Sequence, residues 1–83
     1  MFIASGKVIK FNNYPGKFLV VGGYLDEINN EYVEVVSVSD ILNNRKWDVE
    51  RYNLDNCSGY AIIGTNREAY RKYMHYVTGE ETT

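Results

Sequence analysis

Two β-prone runs in the first half of the chain restrict the fold more than any other feature. The first run, residues 18–25, is almost continuously apolar, and the second, residues 32–38, is rich in β-branched valines. The Gly22-Gly23 pair in the first run would cost a helix about 2 kcal/mol relative to alanine. A strand that bends at the glycines is therefore the better interpretation. Together the two runs predict neighbouring antiparallel strands.

Short polar segments connect the predicted strands. Pro15 and Gly16 occupy the two central positions that a type II turn favours, directly after a β-prone run. Asn29 and Asn30 suit a two-residue hairpin loop, because asparagine tolerates a positive φ angle better than other non-glycine residues. The predicted strands cover about residues 7–11, 18–28, 31–38, 46–52 and 60–63.

The middle of the chain carries a corner and an alternating run. Residues 39–42 lack β alternation and begin with a serine and an aspartate, which predicts a single helical turn. Trp47 and Val49 then alternate with charged residues. This alternation favours a strand at about residues 46–52 with one solvent-facing side.

The clearest local signal lies near the C-terminus, where Thr65-Asn66-Arg67-Glu68 forms a capping box. In this pattern the threonine caps the helix, which predicts a helix over about residues 66–78. Gly79 stands where a helix-terminating glycine is expected, and the tail at residues 79–83 is expected to fray. The predicted apolar face of the helix consists of Ala69, Tyr70, Tyr73, Met74 and Val77.

These elements predict a mainly β fold with one C-terminal α-helix, built as a single small domain over residues 1–83. Its strands would form either a small antiparallel half-open barrel of SH3-like type or a curled sheet that the helix covers. The order of the strands resembles SH3-like barrels in general. This resemblance concerns topology alone and implies no functional residues.

Charge and cysteine content limit the kinds of partner. The formal charge of −2 and the pI near 5.3 disfavour bulk binding of phosphates, so nucleic acid is an unlikely partner by this criterion. The single cysteine, Cys57, cannot form an internal disulfide, which favours a reducing, cytoplasmic setting. The sequence contains no apolar run of the roughly 18–20 residues that a membrane span needs, so no membrane partner is expected.

Residue types needed for catalysis are sparse. His75 is the only histidine, and the sequence places it on the polar side of the predicted helix. Cys57 has no cationic neighbour in sequence that would activate a thiolate. We therefore expect no catalytic residues, no metal and no cofactor. An RNA-cleaving toxin of the small-barrel kind is a third alternative, with Arg45, Arg51, Ser37 and Ser39 as its only candidate residues.

Eight tyrosines and a segregated acidic segment favour a protein-binding role. Tyrosine is enriched at protein interfaces, and an acidic cluster would steer a basic partner towards the domain. We expect a non-enzymatic adaptor or inhibitor whose partner is a protein with a basic surface, and homodimer formation also fits this size. The small domain with asparagine-rich turns resembles accessory proteins of phages and other mobile elements. The predicted partner-binding residues are Tyr24, Asp26, Glu27, Glu31, Tyr32 and Glu34.

The alternative function is a small barrel that binds nucleic acid. Basic side chains on one face of the predicted helix would contact phosphates, and exposed tyrosines such as Tyr14 and Tyr76 would stack on bases. The residues of this alternative face are Arg67, Arg71, Lys72 and His75.

Overall fold

Five antiparallel strands form one sheet, and a helix follows at the C-terminus. The computed structural model describes residues 3–56 and 59–79. Its elements are β1 (Lys7–Phe11), β2 (Phe18–Leu25), β3 (Glu31–Ser37), α1 (Val38–Leu42), β4 (Glu50–Asn53), β5 (Tyr60–Thr65) and α2 (Arg67–Thr78). The strand order is β4-β3-β2-β1-β5, and within the described residues the two outer strands do not pair with each other. The predicted mainly β class with a C-terminal helix is confirmed, and the sheet is open. Cys57 and residues 80–83, most of the tail that was expected to fray, lie outside the described residues.

The sheet buries side chains on both of its faces, because its central strands are apolar at successive positions. On one face, α1 and α2 cover a cluster of Val8, Leu19, Val36, Val38, Ile41 and Ala69. On the other face, Ile9, Phe11, Val20, Val33, Val35 and Leu54 form a second cluster. Trp47 packs against the first cluster, and Tyr52 packs against the second.

The hairpin between β2 and β3 bends at its glycines, as predicted. The register between the strands shifts between Val20 and Gly22, which marks a bulge. A Cβ atom on Gly22 would lie 2.8 Å from Oε1 of Glu34, so a larger residue at this position would displace the end of the glutamate side chain.

The predicted two-residue loop of this hairpin is wrong. Strand β2 ends at Leu25, which pairs with Glu31, so the loop has five residues, 26–30. The Asp26 carboxylate organises the longer turn, because its Oδ1 accepts hydrogen bonds from the backbone N–H groups of Ile28 (3.0 Å) and Asn30 (2.9 Å). Asn29 adopts a positive φ of 67°, as expected.

Strand β4 begins at Glu50 and not near residue 46, so the predicted start is wrong. The ladder between β3 and β4 runs from Tyr32 opposite Asn53 to Val35 opposite Glu50. Strand β3 ends two residues further on, at Ser37, and α1 follows from Val38, so Trp47 would lie opposite a helix and not a strand. Trp47 lies in the segment between α1 and β4.

Helix α2 starts one residue later than the capping box predicts. Asn66 is the N-cap residue, and its side chain accepts a hydrogen bond of 2.9 Å from the N–H of Ala69. Thr65 is the last residue of β5 and pairs with Lys7, so β5 extends past residue 63 and uses Thr65 in the sheet. Gly79 ends the helix with a φ of 71°, which confirms its predicted role.

Only part of the predicted apolar face of α2 is covered. Ala69 is buried, and Tyr70 and Tyr73 pack against the first core cluster. Met74 and Val77, which the periodicity places on the same apolar face, are exposed.

Candidate functional site

An aromatic cluster leads from the second core cluster to the surface at the β1–β2 turn. Phe11 is buried, and its ring centroid lies 4.8 Å from that of Tyr52 and 6.1 Å from that of Tyr14. The Tyr14 and Tyr52 centroids are 5.1 Å apart, and the ring of Phe18 lies 6.1 Å from Tyr52. Tyr14 is 46% exposed, so an aromatic surface rests here on rings that the core holds in place.

A groove of about 520 Å³ runs from this cluster to the segment before β4. Its wall contains carboxylates as well as rings. We call it the acidic aromatic groove, defined by Tyr14, Phe18, Trp47, Asp48, Glu50 and Tyr52. Asp40 also lines it, and Lys46 is its single cationic side chain. Smaller grooves of about 220 Å³ and 470 Å³ border the other sides of Tyr14.

Tyr52 and Glu50 are joined within this groove. The phenol O–H of Tyr52 donates a hydrogen bond of 2.6 Å to Oε2 of Glu50. Burial and then the hydrogen bond and negative charge of Glu50, with a further contribution from Tyr14, raise the pKa of Tyr52 to about 12. The phenol therefore stays protonated and remains a hydrogen-bond donor to Glu50.

A second groove, of about 350 Å³, lies on the other side of Trp47 and has the opposite charge. Its lining comes from the end of α1 and from α2. We call it the cationic groove, defined by Asn44, Arg45, Trp47, Lys72, His75 and Tyr76. The Trp47 ring contacts Tyr76 edge-on at 5.0 Å and Tyr73 at 5.5 Å. Trp47 thus separates a groove with carboxylates from a groove with cations.

The predicted partner-binding tyrosines lie next to each other on the β2–β3 hairpin. Tyr24 and Tyr32 pair across the strands, and their rings stack with centroids 5.0 Å apart and an angle of 5° between the planes. Tyr24 is 38% exposed. The pair presents a flat aromatic surface near the turn.

The carboxylates of Asp26 and Glu34, two of the four acids of the predicted acidic tip, have structural partners. Asp26 holds the turn together. Partial desolvation opposes its ionisation, but the N–H donors of Asn30 and Ile28 outweigh this effect and lower the pKa of the carboxyl. Glu34 forms an ion pair of 3.1 Å with Arg51. The backbone N–H of Glu31 donates to Oδ2 of Asp55 at 2.8 Å, and Glu27 is exposed.

The predicted nucleic-acid face divides into two parts. Arg67 and Arg71 are exposed on α2 and are not among the residues that line the cationic groove. Lys72 and His75 line the cationic groove, and Lys72 Nζ donates to the carbonyl oxygen of Leu42 (3.3 Å) and to Oδ1 of Asn44 (3.4 Å).

Several residues of the small-barrel toxin alternative also have structural roles. Ser37 caps α1 by accepting a hydrogen bond from the N–H of Asp40. Arg45 lies 3.9 Å from a carboxylate oxygen of Asp40, and Arg51 pairs with Glu34. Cys57, predicted to be a spectator thiol, lies outside the described residues.

Sequence reasoning did not identify the acidic aromatic groove. Nothing in the sequence pattern indicates that Tyr14 and Trp47 share a surface, because the two residues are far apart in the chain. A usable signal was present in the segment from Trp47 to Tyr52, where two acidic residues, Asp48 and Glu50, lie between two aromatic residues.

In the described parts of the chain, no group of three or more His, Cys, Asp and Glu side chains is arranged to hold a metal ion. Neither described helix is long and apolar enough to span a membrane. Neither the models of known protein families, nor the curated proteins, nor the solved structures gave a match to this chain. Function is therefore inferred from the shape and the lining residues of the two grooves.

Proposed function

We propose that this protein is a non-enzymatic binding domain that docks a protein partner in the acidic aromatic groove, as an adaptor or an inhibitor. The observation that carries the proposal is the exposed Tyr14 ring, which is held by Phe11 and Tyr52 and bordered by grooves on several sides. A ring that is already positioned loses little entropy on binding, and such aromatic anchors dominate the affinity of protein interfaces.

The charges of the groove favour a basic segment of the partner. Asp40, Asp48 and Glu50 line the groove, and Lys46 opposes them with one positive charge. An arginine or lysine of the partner would approach the carboxylates while apolar or proline side chains pack on the rings. Long-range attraction between unlike charges would speed the encounter, and ring contacts would slow dissociation.

The hairpin tip is a second surface where aromatic rings and a carboxylate lie together. Tyr24 and Tyr32 offer a stacked aromatic pair, and Glu27 adds an exposed carboxylate. Asp26 and Glu34 are engaged within the protein at the tip, whereas the acidic aromatic groove combines carboxylates and rings in one concave surface of about 520 Å³. We therefore assign the main docking role to the groove.

We also propose that the sheet is a half-open barrel of SH3-like type. The support is the second core cluster, in which Ile9 and Val20 are fully buried on the face that neither α1 nor α2 covers. Strong curvature of the sheet, with Leu54 folded over it, accounts for this burial. A crystal structure with a flat sheet would contradict this fold class.

Selection from a random peptide library on the immobilised domain tests the binding proposal. We expect selected peptides to combine arginine or lysine with proline or aromatic residues, and to lose affinity for Tyr14→Ala and for Glu50→Gln with Asp48→Asn. Tyr60→Ala is the matched control, since it removes an exposed tyrosine of β5 that lies outside both the groove and the hairpin tip. Peptides whose binding ignores the groove variants would overturn the assignment.

A further inference from the structure

The cationic groove combines positive charge with an exposed aromatic platform, and the proposed function does not use it. Arg45, Lys72 and His75 line it together with Trp47 and Tyr76. The defining residues include no carboxylate, although Asp40 lies 3.9 Å from Arg45 outside the groove. Such a groove is complementary to a ligand that carries negative charge next to planar rings.

Lys72 keeps its positive charge available in this groove. Both of its hydrogen-bond acceptors, the Leu42 carbonyl and the Asn44 side chain, are uncharged. Within the described residues, no carboxylate lies within ion-pair distance of its ammonium group. The half-buried stem and the two hydrogen bonds hold the cation at the end of α1. An incoming anion would therefore meet a positioned charge that no carboxylate neutralises.

Tyr76 supplies the stacking surface. It is 74% exposed, although its ring contacts Trp47 edge-on at 5.0 Å. This contact limits the movement of the ring and leaves much of the residue open to solvent. Stacking of a base on a tyrosine is tolerant of sequence and is used by proteins that bind single strands.

We propose that the cationic groove binds single-stranded nucleic acid, with one base on Tyr76 and a neighbouring phosphate on Arg45 and Lys72. A polyanion fits better than an isolated phosphate, because exposed cations continue along α2 outside the groove at Arg71 and Arg67, about 6 Å apart along the helix axis. The carboxylates on the far side of Trp47 repel the strand, so it follows α2 and not the acidic aromatic groove.

Trp47 gives a direct readout, because it is the single tryptophan of the chain and lines the groove. Titration with an oligothymidine of about ten nucleotides in about 50 mM salt should quench its fluorescence, and a labelled copy should gain anisotropy. The affinity should fall as salt rises, and removal of one phosphate contact should reduce the log–log slope by about 0.7.

Matched variants distinguish the groove from general charge effects. Arg45→Gln and Lys72→Gln should each weaken binding several-fold, and Tyr76→Ala should weaken it about tenfold. Lys10→Gln removes an exposed lysine on β1 and should leave the affinity unchanged. Arg45 is 65% exposed at its side chain, so its variant tests the groove even if Lys72→Gln disturbs the contact between α1 and α2.

Three results would overturn the proposal. These are no quenching at low salt, equal losses for Lys10→Gln and Arg45→Gln, and binding of a phosphotyrosine peptide where the oligothymidine does not bind. Asp48→Asn should not weaken oligothymidine binding, although it is one of the changes expected to weaken peptide docking in the acidic aromatic groove. Failure of this proposal is therefore distinguishable from failure of the peptide-docking proposal.

Discussion

Ile9 and Ile62 lie directly opposite each other in β1 and β5, yet Ile9 is fully buried and Ile62 is 51% exposed. The difference arises because β1 lies inside the sheet, whereas β5 is an edge strand that pairs only with β1 within the described residues. The two isoleucines of this cross-strand pair should therefore contribute unequally to the stability of the fold.

Replacement of each isoleucine by alanine should show this inequality. Ile9→Ala should lower the free energy of unfolding by about 2–5 kcal/mol, because it removes buried methyl groups and leaves a cavity. Ile62→Ala should lower it by about 1 kcal/mol or less. Urea denaturation of both variants measures the difference, and equal losses would mean that β5 is covered in solution.

The helix cap provides a second matched pair. Asn66→Ala removes the side-chain acceptor for the N–H of Ala69 and should destabilise the protein by about 1 kcal/mol. Thr65→Ala, one residue earlier, should have a smaller effect, since Thr65 is exposed at the end of β5. Thermal melts of the two variants compare them, and a larger loss for Thr65→Ala would restore threonine as the cap.

The ionisation of Tyr52 should report on the acidic aromatic groove. Its pKa of about 12 lies above the ordinary value of 10.0, so between these values the folded state binds the proton more tightly than the unfolded state. This contribution to stability is complete below pH 10.0 and is lost as the pH rises towards 12. Ultraviolet titration should show a late-titrating phenol, which Glu50→Gln returns towards the ordinary range. A phenol that titrates identically in both proteins would show that Glu50 does not contact it.

The turn at Asp26 should be sensitive to acid. Its carboxyl has a lowered pKa in the folded protein, so its stabilising effect is present above the ordinary value of 3.8 and is lost as the pH falls through the lower folded value. The amide resonances of Ile28 and Asn30 should shift in that range of pH, because both N–H groups donate to the carboxylate. In Asp26→Asn these amides should lose the titration, and a retained shift would assign it to another acid.

Local chemistry in the sequence was sufficient for the strands, the bend and the helix. Valine density in β3, the glycine pair in β2 and the glycine after α2 act through backbone geometry and neighbouring residues, so their effects can be read without the fold. The errors lie at boundaries where a distant partner decides the outcome. Thr65 belongs to β5 because Lys7 pairs with it, and Trp47 lies outside β4 because β3 has already turned into α1.

The grooves depended on tertiary structure alone. Tyr14 comes from the β1–β2 turn, and Glu50 and Tyr52 come from β4; the fold brings them together beside Phe11. The packing of α1 on α2 places Lys72 beside Asn44, on the opposite side of Trp47. The sequence by itself determined which residues favour strands, turns and a helix, because those preferences are local. Only the tertiary structure decided which charges and rings share a surface, because that depends on contacts between residues far apart in the chain.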